Sequence, residues 1–175
     1  MRIRLVSFAA LAALAATPAF TVPASAHVTL DQPQATAGTT AKLVFRVPHG
    51  CQGSAMTTFK VQIPEGVTNV KPQPKAGWQL ATVKAKLDKP IVGEHGATIT
   101  EVVREVVWSG GRLPDDFYDE FALRGQMPDK AGTLYFPVVQ ECEKGVERWI
   151  EIPADGKKSG DYKMPAPGLR LAPRP

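Results

Sequence analysis

The sequence is poor in the residues and motifs that mark several common protein classes. It contains only two cysteines and three histidines among 175 residues, and its lysines and arginines form no block of the kind that binds nucleic acid. It lacks a Ser-His-Asp arrangement, a phosphate-binding glycine loop and an H-E-x-x-H motif, so hydrolytic catalysis has no support. After residue 26, no apolar run reaches the length of about 20 residues that a membrane span needs.

The first 26 residues have the features of a secretory signal peptide. Arg2 and Arg4 form a positive n-region, Leu5–Phe20 is apolar, and Ala24-Ser25-Ala26 is a small-x-small cleavage site. We expect cleavage after Ala26 to release a protein into the periplasm or the extracellular space, with no stable membrane insertion. Loss of the two arginines lowers the formal net charge from +4 to about +2, so nucleic acid is not an expected partner.

The two cysteines, Cys51 and Cys142, form an isolated pair in a chain expected to be exported. Such a pair most often forms one disulfide, which closes a long loop and stabilises the fold. A cysteine-based metal site is the alternative, and His49 keeps it open because it lies two residues before Cys51.

Short apolar segments with period-two alternation follow one another along the chain, separated by proline and glycine. The predicted strands are His27–Leu30, Ala41–Val47, Phe59–Ile63, Val67–Val70, Trp78–Leu87, Ala97–Trp108, Glu120–Arg124, Thr133–Gln140 and Val146–Ile152. This spacing predicts an all-β antiparallel β-sandwich of immunoglobulin or cupredoxin type, with a closed barrel as the alternative. Ala97–Trp108 is apolar on both sides, which predicts a central strand covered on both faces.

The chain accordingly divides into three parts: the signal peptide at 1–26, a sandwich domain at 27–155, and an extension at 156–175 that is rich in proline. We expect the extension to run extended, partly packed on the sheet or disordered.

His27 is the leading candidate for chemistry because it would become the first residue after cleavage. An N-terminal histidine offers its α-amine and its imidazole Nδ1 to one metal ion, and Cu(II) favours nitrogen and oxygen donors in a tetragonal plane. A carboxylate and water can fill the remaining positions. The alternative is that His27 is only the first residue of an edge strand.

The densest carboxylate segment is 113–121, which can direct Glu120 or Asp119 toward a site; a solvated acidic loop is the alternative. Glu141 and Glu143 beside Cys142 are weaker candidates. Two further histidines, His49 and His95, lie in glycine-flanked turns. Either would be needed for a second imidazole, as in copper oxygenases acting on polysaccharides, although turn histidines are usually plain surface residues.

Several segments together resemble the YcnI-like copper-binding proteins of bacteria, over roughly residues 27–172. The segments that carry the resemblance are Ala26-His27-Val28, His49-Gly50-Cys51, Val61 to Gly66, Pro74 to Trp78, Trp108 to Gly111, Asp119-Glu120-Phe121, Phe136 to Gln140 with Cys142, and Gly145 to Trp149. Each is weak alone, and their common order and spacing make the resemblance specific.

The resemblance implies a β-sandwich with one Cu(II) ion per chain. It implies that His27 binds the ion as a mono-histidine brace, that Glu120 completes the coordination, and that Trp149 lies next to the metal. The function implied is copper buffering, delivery or homeostasis without catalysis, with copper-transport or chaperone proteins as partners. The alternatives are a copper-dependent oxidative enzyme, which would need His49 or His95 near His27, and a metal-free interaction module.

Overall fold

The computed structural model of the protein describes residues 27–93 and 96–175. The predicted signal peptide and His95 therefore lie outside the described residues. Within the described part of the chain, no helix is both long and apolar enough to cross a membrane.

Twelve strands and one turn of 3-10 helix, Ser159–Asp161, make up the regular structure of the described residues. The strands are β1 (Thr29–Leu30), β2 (Gln34–Thr36), β3 (Thr40–Val47), β4 (Met56–Gln62), β5 (Thr68–Pro72), β6 (Gln79–Val92), β7 (Thr98–Leu113), β8 (Asp119–Gln126), β9 (Gly132–Tyr135), β10 (Val138–Cys142), β11 (Val146–Trp149) and β12 (Gly168–Ala172).

These strands form two larger sheets and one small sheet. The larger sheets have the orders β1-β3-β8-β5 and β11-β10-β4-β7-β6, and the small one has the order β2-β12-β9. Pairing is antiparallel throughout except between β2 and β12. The prediction of an all-β antiparallel sandwich is confirmed, and the open strand orders decide against a closed barrel.

The core lies between the two larger sheets and is filled by aromatic side chains from both. Phe45 of β3 meets Phe59 of β4 edge to face at 6.2 Å between ring centroids, and Phe59 stacks on Phe121 of β8 at 4.5 Å. All three are at most 1% exposed. Alternation along β3 turns Phe45 inward and Arg46 outward, so the same pattern that builds the core also presents polar residues on the outer face.

Several strands differ from their predicted bounds for identifiable reasons. The segment predicted as one strand, Thr133–Gln140, is two strands, β9 and β10, separated at Phe136-Pro137. Proline lacks the backbone N–H that a continuous ladder needs. The predicted strand Ala97–Trp108 is part of β7 and is central, between β4 and β6. One of its faces is buried at Val102, Val106 and Trp108, whereas the opposite face is only half-buried.

Part of the proline-rich tail belongs to the packed domain. β12 lies between β2 and β9, and its inward residues Leu169 and Leu171 are 0% and 3% exposed. The core therefore continues beyond residue 155.

Cys51 and Cys142 form a disulfide with 6.0 Å between their Cα atoms, across a sequence separation of 91 residues. The predicted disulfide is confirmed, and both cysteines are thereby accounted for. The bond joins the loop after β3 to the end of β10, next to the edge strand β11.

Candidate metal site

Three neighbouring strands bring His27 and Glu120 to the outer face of the four-stranded sheet. Thr29 of β1 lies opposite Arg46 of β3, and Arg46 lies opposite Glu120 of β8. Val28 and Phe45 are buried, so strand alternation turns their neighbours outward. The sequence therefore aligns one polar row across β1, β3 and β8.

His27 and Glu120 line one cleft of about 460 Å³ at this face. The residues lining it are His27, Thr29, Arg46, Pro48, Tyr118 and Glu120. His27 is half-buried, whereas Tyr118 at the rim is 69% exposed. The structure thus brings together the two residues that the sequence predicted as metal ligands.

Arg46 lies between two carboxylates at the edge of this cleft. Its guanidinium contacts Asp31, and its Nε lies 3.8 Å from Glu120 Oε1. The Arg46 and Glu120 side chains are 52% and 45% exposed, so the pair contributes little to stability. Its local effect is to hold a cation beside the Glu120 carboxylate, which lines the same cleft as His27.

Trp149 reaches His27 from the edge of the five-stranded sheet. Alternation along β11 turns Glu147 and Trp149 inward, and Trp149 is only 4% exposed. The centroids of the His27 and Trp149 rings lie 5.3 Å apart, with the ring planes tilted by 60°. The residue predicted to lie next to the metal is therefore in contact with His27.

A buried polar group lies behind the indole. Trp149 Nε1 donates a hydrogen bond to Gln140 Oε1, and Gln140 Nε2 donates to the carbonyl oxygen of His49 at 3.1 Å. Gln140 is 0% exposed and lies opposite Glu147 in the β10–β11 ladder. The indole is therefore tied to the loop that follows β3.

Glu147 is 5% exposed, and its Oε2 atom is buried without a hydrogen-bond partner among the described residues. Burial raises the pKa of the Glu147 carboxyl; His49 opposes this effect and the negative charge of Asp115 adds to it. The protonated, neutral form of Glu147 is favoured as a result.

The other candidate residues are engaged elsewhere. His49 places its Nδ1 atom 2.7 Å from its neighbour's carbonyl, Gly50 O, and 3.7 Å from Asp115 Oδ1. Glu141 pairs with Lys60, Glu143 with Arg112 at 2.9 Å, and Asp119 with Lys75 at 2.7 Å. None of these side chains is among those lining the cleft of His27.

Sequence reasoning missed Arg46 and Gln140. Arg46 is an outward residue of an alternating strand, which is an ordinary place for an arginine, and only strand pairing shows that it faces Glu120. Gln140 has no local signal, because its hydrogen-bond partners are His49, 91 residues away, and Trp149 on the next strand. A glutamine on the inward side of an apolar strand is the one hint that the sequence offers.

The donors at this cleft fit Cu(II) only if the chain begins at His27. Among the described residues, no group of three or more His, Cys, Asp or Glu side chains is arranged to hold a metal ion. The cleft supplies one imidazole and one carboxylate, and a processed terminus would add an α-amine. Nitrogen and oxygen donors of this kind are those that Cu(II) favours.

Comparison with known proteins places the chain in a family. No curated protein matches it. It is similar to an uncharacterized protein from Nocardia farcinica whose crystal structure reveals an immunoglobulin-like fold, with a TM-score of 0.63 and 28% identity over 83% of this chain and 98% of that one. The family model DUF1775, a domain of unknown function, matches residues 27–171. The chain therefore belongs to the DUF1775 family, which is the domain of YcnI-like proteins, and has an immunoglobulin-like fold.

Proposed function

We propose that this is an exported Cu(II)-binding protein that buffers or delivers copper without catalysis. The observation that carries the proposal is the cleft lined by both His27 and Glu120, with the indole of Trp149 against the His27 ring. Export follows from the predicted signal peptide, and copper-transport or chaperone proteins are the proposed partners.

The donor set supports a mono-histidine brace. His27 would supply its α-amine and Nδ1, and Glu120 would supply a carboxylate oxygen. Bound copper would contribute a redox-active, Lewis-acidic centre. Protons compete with the metal ion for both nitrogens of His27, so Cu(II) affinity should fall in acid.

The position of His49 supports binding over oxidative catalysis. A two-histidine site would need a second imidazole beside His27, and the His49 ring lies against Asp115 instead. His95 lies outside the described residues. A metal-free interaction module would not account for the arrangement of His27 and Glu120 in one cleft with Trp149 against the His27 ring.

The test compares Cu(II) titrations of protein that begins at His27 with protein that carries one extra residue, Ala26, before it. The extension converts the α-amine to an amide, so we expect affinity to fall by orders of magnitude with an unchanged circular dichroism spectrum. Electron paramagnetic resonance of the processed protein should show one imidazole nitrogen. Equal affinity of the two forms would contradict the brace.

The carboxylate is tested in the same titration with Glu120→Gln, which keeps the shape of the side chain and removes its charge. We expect weaker binding and an altered Cu(II) resonance spectrum. Asp116→Asn is the matched control, because Asp116 is an exposed acid in the same segment and is not among the residues lining the cleft. An unchanged spectrum in the Glu120 variant would show that another group completes the site.

A further inference from the structure

We infer that Gln140 is a positioning residue that fixes the indole of Trp149 against His27. The inference deepens the proposed function, because it concerns the same site. Its first observation is burial: Gln140 is 0% exposed although it carries both a donor and an acceptor. A buried amide is costly unless both of its ends are hydrogen-bonded.

Both ends are hydrogen-bonded, and the partners leave one orientation of the amide. An indole N–H can only donate, so the atom that receives Trp149 Nε1 must be the amide oxygen. A backbone carbonyl can only accept, so the atom facing His49 must be the amide NH₂. A side chain at this position has to offer an acceptor to one neighbour and a donor to the other, which glutamine does without ionising.

The hydrogen bond selects one rotamer of Trp149. Turning the indole over would move Nε1 away from Gln140 and leave a buried donor unpaired, at a cost of about 1–3 kcal/mol. Gln140 thereby fixes the orientation in which the indole contacts the His27 ring, with 5.3 Å between the ring centroids. Trp149 alone, packed only by apolar contacts, would lack this restraint.

Gln140 also ties Trp149 to a loop that contributes a residue to the cleft. Its NH₂ group holds the carbonyl of His49, and the preceding residue, Pro48, lines the cleft with His27. The Cys51–Cys142 disulfide anchors the same loop to the same strand, two residues from Gln140. Gln140 therefore links Trp149, which contacts His27, to the Pro48–Cys51 loop.

The experiment uses protein that begins at His27, first without metal. Gln140→Met keeps an unbranched side chain of similar length and removes both hydrogen bonds. We expect the Trp149 indole N–H signal to lose its hydrogen-bonded shift and the nuclear Overhauser contact between the Trp149 and His27 rings to disappear. An unchanged indole signal and ring contact in the folded variant would overturn the inference.

Gln126→Met is the matched control. Gln126 also uses both ends of its amide, accepting from Thr40 Oγ1 at 2.8 Å and donating to Gly38 O at 2.9 Å. It is not among the residues lining the cleft, so this variant should leave the His27 and Trp149 signals in place. Equal loss in the control would show a general effect on the fold and would overturn the specific role.

A second variant keeps the inference testable if Gln140→Met does not fold. Gln140→Glu preserves the volume and the acceptor for the indole, so it should retain the Trp149 indole signal and the ring contact with His27. Loss of both in a folded Gln140→Glu protein would overturn the inference.

Copper gives the second readout. In the processed protein we expect Gln140→Met to bind Cu(II) about tenfold more weakly, as residues that orient metal-site neighbours commonly do, and Gln126→Met to bind like the wild type. If the wild type failed to bind copper, the proposed function would fall, while the metal-free spectra would still decide whether Gln140 positions the indole.

Discussion

Gln140 and Glu147 are paired in the β10–β11 ladder, and both are buried. The two side chains differ in how far their polar atoms are hydrogen-bonded. Gln140 has a partner at each end of its amide, whereas one carboxyl oxygen of Glu147 has none among the described residues. A buried carboxylate in that state is costly unless it is protonated. The contrast makes Glu147 a residue whose ionisation is expected to lower the stability of the fold.

Glu147→Gln should therefore change the pH dependence of stability. Burial raises the pKa of Glu147 above the ordinary value of 4.5, so the folded state holds a proton that the unfolded state has already lost. Stability consequently falls as the pH rises from that value through the raised pKa, and the loss is complete above it. Glutamine removes this loss, so the variant should be more stable than the wild type at pH 7.5, on the order of 1 kcal/mol for one unsatisfied buried group.

Thermal unfolding between pH 4 and pH 8 measures this effect. The two proteins should have similar midpoints near pH 4, where Glu147 is protonated in both states, and should diverge as the pH rises. Glu65→Gln, at an exposed turn, controls for the loss of one negative charge. Parallel curves for the Glu147 variant and the wild type would contradict the prediction.

At the scale of the elements, β12 shows that part of the proline-rich tail is packed into the folded domain. Leu169 is 0% exposed in β12, the strand that joins β2 to β9. Leu169→Ala should therefore lower the free energy of unfolding by about 3 kcal/mol, from the lost burial and the cavity left behind. Urea denaturation measures the change.

Arg170→Ala is the control for this substitution, because Arg170 lies next in the same strand with an exposed side chain. It should change stability by less than about 0.5 kcal/mol. If Leu169→Ala left the free energy of unfolding unchanged, β12 would contribute nothing to the stability of the core.

The strands that sequence alone predicted well are those with one buried and one exposed face. β3, β4 and β8 lie in the sandwich, and burial of one face imposes the alternation that is visible in the sequence. β2 and β12 were missed because each is short and its partner is distant in the chain, so its pairing leaves no local pattern.

The full length of β6 could not be predicted from the sequence. It runs from Gln79 to Val92, beyond the predicted end at Leu87, and most of its residues are exposed on both faces. It pairs with β7 alone at the edge of its sheet, so no buried face marks its length. Lys84, Lys86, Lys89 and Pro90 along this edge are residues that discourage pairing with another chain.

The sequence named His27, Glu120 and Trp149 for the candidate site but not the residues that surround them. His27 followed from the cleavage motif, and Glu120 and Trp149 followed from family resemblance; the structure places all three together. Arg46 and Gln140 act through partners on other strands, and such contacts arise only when the sheets assemble. Local patterns thus report which side of a strand a residue occupies, whereas its partners depend on the topology.

For the whole molecule, the Cys51–Cys142 disulfide closes a covalent loop with a sequence separation of 91 residues. In the chain-entropy model such a cross-link stabilises by about 4–5 kcal/mol, because it restricts the unfolded chain. It also fixes the loop carrying Pro48 and His49 to the strand carrying Gln140. Global stability and local order at His27 thus depend on the same bond.

Replacing both cysteines with alanine should therefore have two separable effects. The free energy of unfolding should fall by about 4 kcal/mol, measured by denaturant unfolding at pH 7. In the protein that remains folded, amide hydrogen exchange should rise in the Pro48–Cys51 loop and at Gln140, and stay unchanged in β12, which pairs with β2 and β9 in the small sheet. The Leu169→Ala variant is the control, because it lowers stability without touching the loop. Equal exchange at the loop in both variants would show that the disulfide stabilises only the molecule as a whole and does not order the surroundings of His27.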